Sequence, residues 1–222
     1  MSKAGLAATV LVITLTAATS AARSEPGFSI GPHASTLGVG AEASAKMSDN
    51  LVLRLGGNYL AVGASEAVDG VSYDIDVSLA SAGGALDLHP FGNGFLISAG
   101  VFWNGNGADF NATPTTNVTI GNTTYTPAQL GRVDGELEFN AVAPYVGLGW
   151  DGTYFGDGAL SFRFRAGLFY MGDPDVELRG TGALAGTSAF QADLAREESN
   201  IEDELAFLGF YPAITLGFTY RF

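Results

Sequence analysis

The last nine residues, 214–222, alternate without a break: Ile214, Leu216, Phe218, Tyr220 and Phe222 fall on one face, and Thr215, Gly217, Thr219 and Arg221 on the other. Period two marks a strand whose two faces meet different surroundings. A face that is apolar and aromatic to the final residue has to be covered, by a second sheet or by lipid. A soluble sandwich would also need a charged outer surface, yet charged residues make up 15% of the chain, against a usual share of about 25%. No stretch after the N-terminus is long and apolar enough for a membrane helix. A membrane location therefore implies a closed barrel, the other architecture that pairs every backbone group within lipid.

The N-terminus carries Lys3, an apolar run over 4–17 and small residues over 18–22. This reads as a secretory signal peptide cleaved after Ala22, with Ser20 and Ala22 at the small positions. The run falls short of the ~20 residues a spanning helix requires. The expected organisation is a leader over 1–22 and a barrel over 23–222.

Residues 36–46 alternate, turn through 47–50, and pair with 51–59, where Leu51, Leu53, Leu55 and Tyr59 share a face. In 73–88 the apolar phase changes between Tyr73, Ile75, Val77 and Leu79 and the later pair Leu86 and Leu88. A glycine-marked β-bulge at 80–84 is the expected cause. Further strands cover 97–104, 136–150, with a second phase change near Pro144, and 160–170. A small hairpin, 118–120 with 124–126, is expected inside the polar loop 105–135. Phe190, Leu194, Ile201, Leu205 and Leu208 recur at helical spacing in the last loop, with Ser188 as an expected N-cap. That makes seven strands with the C-terminal one. Bacterial single-chain barrels have even counts, so an eighth is expected at 28–34. The fold class is all-β, an eight-stranded antiparallel transmembrane barrel with a short helix in its last loop. Three short turns face the periplasm, and long connections at 62–72, 105–134 and 172–209 lie outside the cell.

The formal charge of -13 excludes a basic stripe for nucleic acid. On the polar faces of the strands stand Glu42, Arg54, Asp74, Asp76, Asp87, Glu136, Glu138, Arg163 and Arg165. Charges at membrane depth are expensive and are expected to point into the barrel, where opposite signs pair. Such a network serves either as a solid plug or as a narrow, gated ion path. No cysteine is present, and neither His33 nor His89 stands in a metal-ligand spacing. No cofactor or metal is expected.

With its leader, strand pattern and aromatic C-terminus, the chain resembles the small Gram-negative outer-membrane barrels of the OmpA, OmpX and OmpW type. The resemblance implies that Phe218, Tyr220 and Phe222 present the signal read by the barrel-assembly machinery. It also implies a monomer in contact with outer-membrane lipid and lipopolysaccharide. The chain stops at Phe222, so the periplasmic domain of full OmpA proteins is not expected. The function expected is a non-enzymatic surface barrel whose acidic loops bind cations, lipopolysaccharide or a partner. A small-solute channel and a lipid A-modifying enzyme are the alternatives. The enzyme reading rests on His33-Ala34-Ser35 with Glu42, similar to the His-x-Ser arrangement of lipid A deacylases, although Thr36 replaces their Asn.

Overall fold

The computed structural model describes residues 27–222. The expected leader, 1–22, lies outside the described residues. In chain order the elements begin with β1 (Phe28–Ser35), β2 (Gly38–Lys46), β3 (Leu51–Val68), β4 (Val71–Leu88) and β5 (Phe95–Asn104). An excursion follows: β6 (Gly107–Pro114), the hairpin β7 (Val118–Ile120) and β8 (Thr123–Tyr125), the single turn α1 (Pro127–Leu130), and β9 (Val133–Glu138). The chain then makes β10 (Val142–Asp151), β11 (Leu160–Tyr170), β12 (Asp175–Gly180), α2 (Ser188–Leu205) and β13 (Phe210–Arg221).

Eight of these strands close a ring in the order β1, β2, β3, β4, β5, β10, β11, β13 and back to β1, every neighbour antiparallel. β1 is the eighth strand, and its pairing with β13 closes the barrel. Closure leaves no unpaired edge at membrane depth. Outward side chains are apolar all the way round: Phe218 is 55% exposed, and Leu86, Ile97, Val101, Val146, Leu148, Phe162, Ile214 and Leu216 stand open beside it. A belt this large would be a severe liability in water and is what lipid covers. No helix among the described residues is long and apolar enough to cross a membrane.

β3 and β4 do not stop at the barrel rim. Their ladder runs unbroken from Leu51 opposite Leu88 to Val68 opposite Val71, where Asp69 (φ 50°) and Gly70 (φ 80°) make a two-residue turn of the left-handed kind such hairpins favour. The expected connection at 62–72 is thus a long hairpin. Above the rim β4 leaves β5 and pairs with β6, which pairs with β9, which pairs with β12. The result is a five-stranded extension, β3-β4-β6-β9-β12, rooted in the barrel wall.

The extension explains both phase changes, and neither is a bulge. Along β4 the odd residues keep facing inward throughout. Within the barrel that face is polar and the outward Leu86 and Leu88 meet lipid. Above it the outward face meets water and carries Asp74 and Asp76, while Val71 on the inward face is buried. Hydrophobicity changes sides because the solvent does. The expected strand 136–150 is likewise two strands, β9 in the extension and β10 in the barrel, separated by residues 139–141.

The protein accordingly has two cores. One fills the long-loop end of the barrel with Leu37, Ala85, Phe102, Ala143, Tyr145, Phe169, Met171 and Ala213. The other lies between the inward face of the extension, the β7–β8 hairpin and α2, and centres on Phe190, Leu194, Leu130, Val176 and Leu178. α2 follows the expected apolar spacing, with Thr187 rather than Ser188 at its N-cap position.

Candidate functional site: a charged lumen and an acidic extension

Strand alternation aims side chains from six different strands at one point inside the barrel. Glu42 of β2 is the hub. Arg163 Nη1 of β11 lies 2.8 Å from its Oε1, Arg165 of the same strand donates to its Oε2, and Arg54 Nη1 of β3 is 4.0 Å away. Arg54 also donates to Asp87 of β4 (Nε to Oδ2, 2.9 Å) and to Ser98 of β5, whose hydroxyl donates in turn to Asp87. Arg165 Nη1 stands 3.6 Å from Asp151 of β10, and Arg163 Nη2 donates to the carbonyl of Gly31. Three guanidinium groups thus face three carboxylates, and Arg163 and Arg165 are among the most fully buried side chains of the protein. Close approach needs absent side chains: a Cβ on Gly217 would come within 3.0 Å of Arg163 Nε, and one on Gly149 within 2.8 Å of Arg165 Cγ.

This layer is flanked on both sides by packed side chains. Toward the long-loop end Phe102, Tyr145 and Phe169 pack ring against ring at 4.8–5.8 Å between centroids, with the Arg54 guanidinium 5.9 Å from the Tyr145 ring centre. Toward the short-turn end the hydroxyls of Ser29, Ser44 and Tyr154, and of Thr153 and Thr219, bond across the interior. The cavity between the charged and aromatic layers measures about 30 Å³, room for a water molecule and too small for a solute. The interior of an eight-stranded barrel is just wide enough for its own side chains to fill.

The structure brings five of the nine expected lumen charges together: Glu42, Arg54, Asp87, Arg163 and Arg165. The other four are a correction. Asp74 and Asp76 lie on the outward face of β4 above the rim, Glu136 and Glu138 on that of β9, all exposed. Alternation alone assigns a residue to a face but not to a height, and these four sit where the polar face is the outer one. Asp151, absent from the expected set, reads in sequence as the start of a turn. Its place one step beyond the outward Trp150 on β10 is the signal that puts it inside.

His33 and Ser35 both face the lumen but do not address each other. His33 Nε2 lies 2.7 Å from Asn58 Oδ1, and the Ser35 hydroxyl donates to the same oxygen at 2.9 Å. Because one amide oxygen accepts both, the imidazole does not stand as a base to the serine. His33 Nδ1 is 3.7 Å from Glu42, a carboxylate already engaged by arginines.

On the extension the register stacks acids side by side. Asp76 faces Asp109, Asp109 faces Glu136, and Glu136 faces Glu177; Glu138 faces Asp175. Arg179 breaks the pattern and pairs with Glu177. A cleft of about 200 Å³ opens among Asp109, Asp134, Glu136, Glu177 and Arg179. Neighbouring side chains strip part of its water from the Glu136 carboxyl, and Glu138 and Asp109 add like charge, so it titrates above the ordinary carboxylate range. No group of three or more His, Asp or Glu side chains among the described residues is arranged to hold a metal ion.

The edge at the far side of the extension is closed by α2. The backbone N–H of Val176 donates to Glu202 at 3.1 Å, and that of Leu178 to Glu198 at 2.7 Å.

Among solved structures the chain is similar to CarO of Acinetobacter baumannii, at 20% identity and a TM-score of 0.56 over 87% of this chain and 97% of that one. It is similar as well to Acinetobacter baumannii CarO2, at 22% identity and a TM-score of 0.58 over 88% and 98%. At these identities the likeness is one of fold, the closed eight-stranded barrel of the outer-membrane type without a separate domain. No family model matches the chain, and no curated protein matches it.

Proposed function

We propose that this chain, a barrel of the outer-membrane type, is a non-enzymatic surface protein with a closed lumen, whose role is to hold the acidic β-extension outside the cell. The observation that carries the reading is the filled interior: three buried arginines paired with three carboxylates, capped by aromatic rings packed edge-on and tilted. Conduction would require several buried pairs to separate together, each break being costly. His33 and Ser35 lack the geometry of an activated nucleophile.

In this reading 1–22 is a cleaved leader, the turns at 47–50, 89–94 and 152–159 face the periplasm, and the extension faces out. Phe218, Tyr220 and Phe222, on the lipid side of β13, serve as the assembly signal, and the barrel works as a monomer among lipid and lipopolysaccharide. The stacked carboxylates rise from the same side of the wall as the lipid belt, next to the headgroup layer, and divalent cations shared with lipopolysaccharide phosphates would offset their repulsion.

Protease added to intact cells tests the reading. The expected result is cleavage within 105–141 or 171–209 and recovery of a protected barrel core from the outer-membrane fraction. A chain untouched in intact cells but cut after the outer membrane is opened would overturn it.

A further inference from the structure

The two edges of the extension are treated differently. β12 has its outward N–H groups capped by Glu198 and Glu202. β3 above the rim has no such cover among the described residues. Its last pairing with β2 is at Tyr59 opposite Val39, and beyond that β4 is its one neighbour among the described strands. In this ladder Leu51 turns its carbonyl toward β2, while Asn50 turns its own toward β4. The odd residues Ala61, Gly63, Ser65 and Ala67 therefore present their N–H and C=O groups outward, unpaired with any strand among the described residues. Natural proteins block such edges with lysine, proline, bulges or a covering element. Here the residues whose backbone faces outward, Ala61, Gly63, Ser65 and Ala67, are all small.

Its two faces differ. On the inward side Leu60, Val62 and Val68 stand exposed, Val62 to 54%, next to Ile75 and Val77 of β4, with Glu66 between Val62 and Val68 opposite Tyr73. On the outward side are the small side chains and, one strand in, Asp74 and Asp76. A Cβ placed on Gly63 would meet Asp76 Oδ1 at 2.6 Å. The absence of a side chain at Gly63 lets that carboxylate lean across β3 toward the open edge.

We propose that β3 between Leu60 and Val68 is a docking edge for an extended segment of another protein, one that alternates apolar and cationic residues. Its backbone would pair with Ala61, Gly63, Ser65 and Ala67, the mode of recognition in which main-chain bonds give affinity and alternate side chains give selectivity. Its apolar residues would continue the Leu60, Val62 and Val68 stripe, and its lysines or arginines would reach Asp74 and Asp76. A second copy of this chain does not fit: two barrels in one membrane rise in the same direction, and their acidic faces would meet. The inference rests on the extension being the partner-facing surface, but not on the closed lumen.

The test uses the full chain in lipid nanodiscs and a labelled nine-residue peptide of alternating valine and lysine, blocked at both ends. A peptide of the same composition with its lysines grouped together serves as control. The alternating peptide should bind and the grouped one should not. Hydrogen exchange should slow at Ala61, Gly63, Ser65 and Ala67 and stay unchanged at Leu60, Val62 and Ala64. Ser65→Pro removes an outward N–H without touching the β4 ladder and should weaken binding about tenfold. Asp74→Asn with Asp76→Asn should weaken it and flatten its salt dependence. The exchange pattern of the unaltered protein decides the matter should the proline variant disturb the hairpin. No binding, equal binding of both peptides, or binding without protection of the odd residues would overturn the proposal. So would a dimer formed through this edge without peptide. A conducting lumen would overturn the functional reading and leave this result untouched.

Discussion

The same two strands, β3 and β4, build two regions that solve opposite problems. In the barrel their outward side chains are leucines in lipid and their inward ones are Arg54 and Asp87. Above the rim the outward side chains include carboxylates in water, and the inward ones include Val71 and Tyr73, which line a cleft beside α2. Backbone pairing passes through the boundary without a break. The sheet thus carries no information about which side is wet; the surroundings supply it, and the side chains follow. The barrel holds its charges in a fixed, neutral cluster, while the extension leaves most of its carboxylates unpaired and open to a partner.

If the regions are separate cores on one sheet, damage to one should spare the other. The largest effect should come from Arg163→Ala with Arg165→Ala, which strips Glu42 of its two closest partners. Breaking a buried pair costs about 3–5 kcal/mol, read as a lower urea midpoint for the barrel. Exchange at β9 and β12 should be unchanged. A double variant as stable as the parent would remove the network from the account.

Phe190→Ala works in the other direction. Phe190 is buried between Tyr125 and Gly180, and truncating a core phenylalanine costs about 3 kcal/mol or more. Amide exchange in β9 and β12 should rise steeply while the barrel keeps its heat-modifiable mobility on gels. Loss of the folded barrel would mean that the extension is part of the barrel core.

These two sites also mark how far the sequence could be read. Glu42, Arg54, Asp87, Arg163 and Arg165 were legible because each lies between lipid-facing residues of unbroken period. The helix was legible from Phe190, Leu194 and Ile201 at helical spacing. Asp74, Asp76, Glu136 and Glu138 have the same period but stand above the membrane, and alternation does not report height. The switch in apolar phase near Ala80 and Pro144 was the sign of the rim. The switch near Ala80 reads as a bulge because, within one solvent, an inserted residue is the usual cause of a phase change.

Smaller effects should sharpen the contrast between the two edges. Glu198→Ala with Glu202→Ala leaves the N–H groups of Val176 and Leu178 without their carboxylate partners, at about 1 kcal/mol each. Faster exchange at those two amides should be the clearest sign, with β3 unaffected.

The smallest effect is one of pH. The Glu136 carboxyl titrates higher in the folded extension than in an unfolded chain. Its contribution to stability is therefore fully present below the ordinary glutamate range and is lost as pH rises through the raised value. Solvent screening keeps the gain small. The extension, followed by exchange at β9, should be slightly more stable in mild acid than at neutral pH, and Glu136→Gln should flatten that dependence.

The closed lumen is the central claim, and current through a planar bilayer tests it most directly. The purified, folded chain should give no steady conductance above the bare membrane at any applied voltage, whereas Arg163→Ala with Arg165→Ala should give a small, cation-preferring current. A stable, ohmic conductance in the unaltered protein would contradict the account.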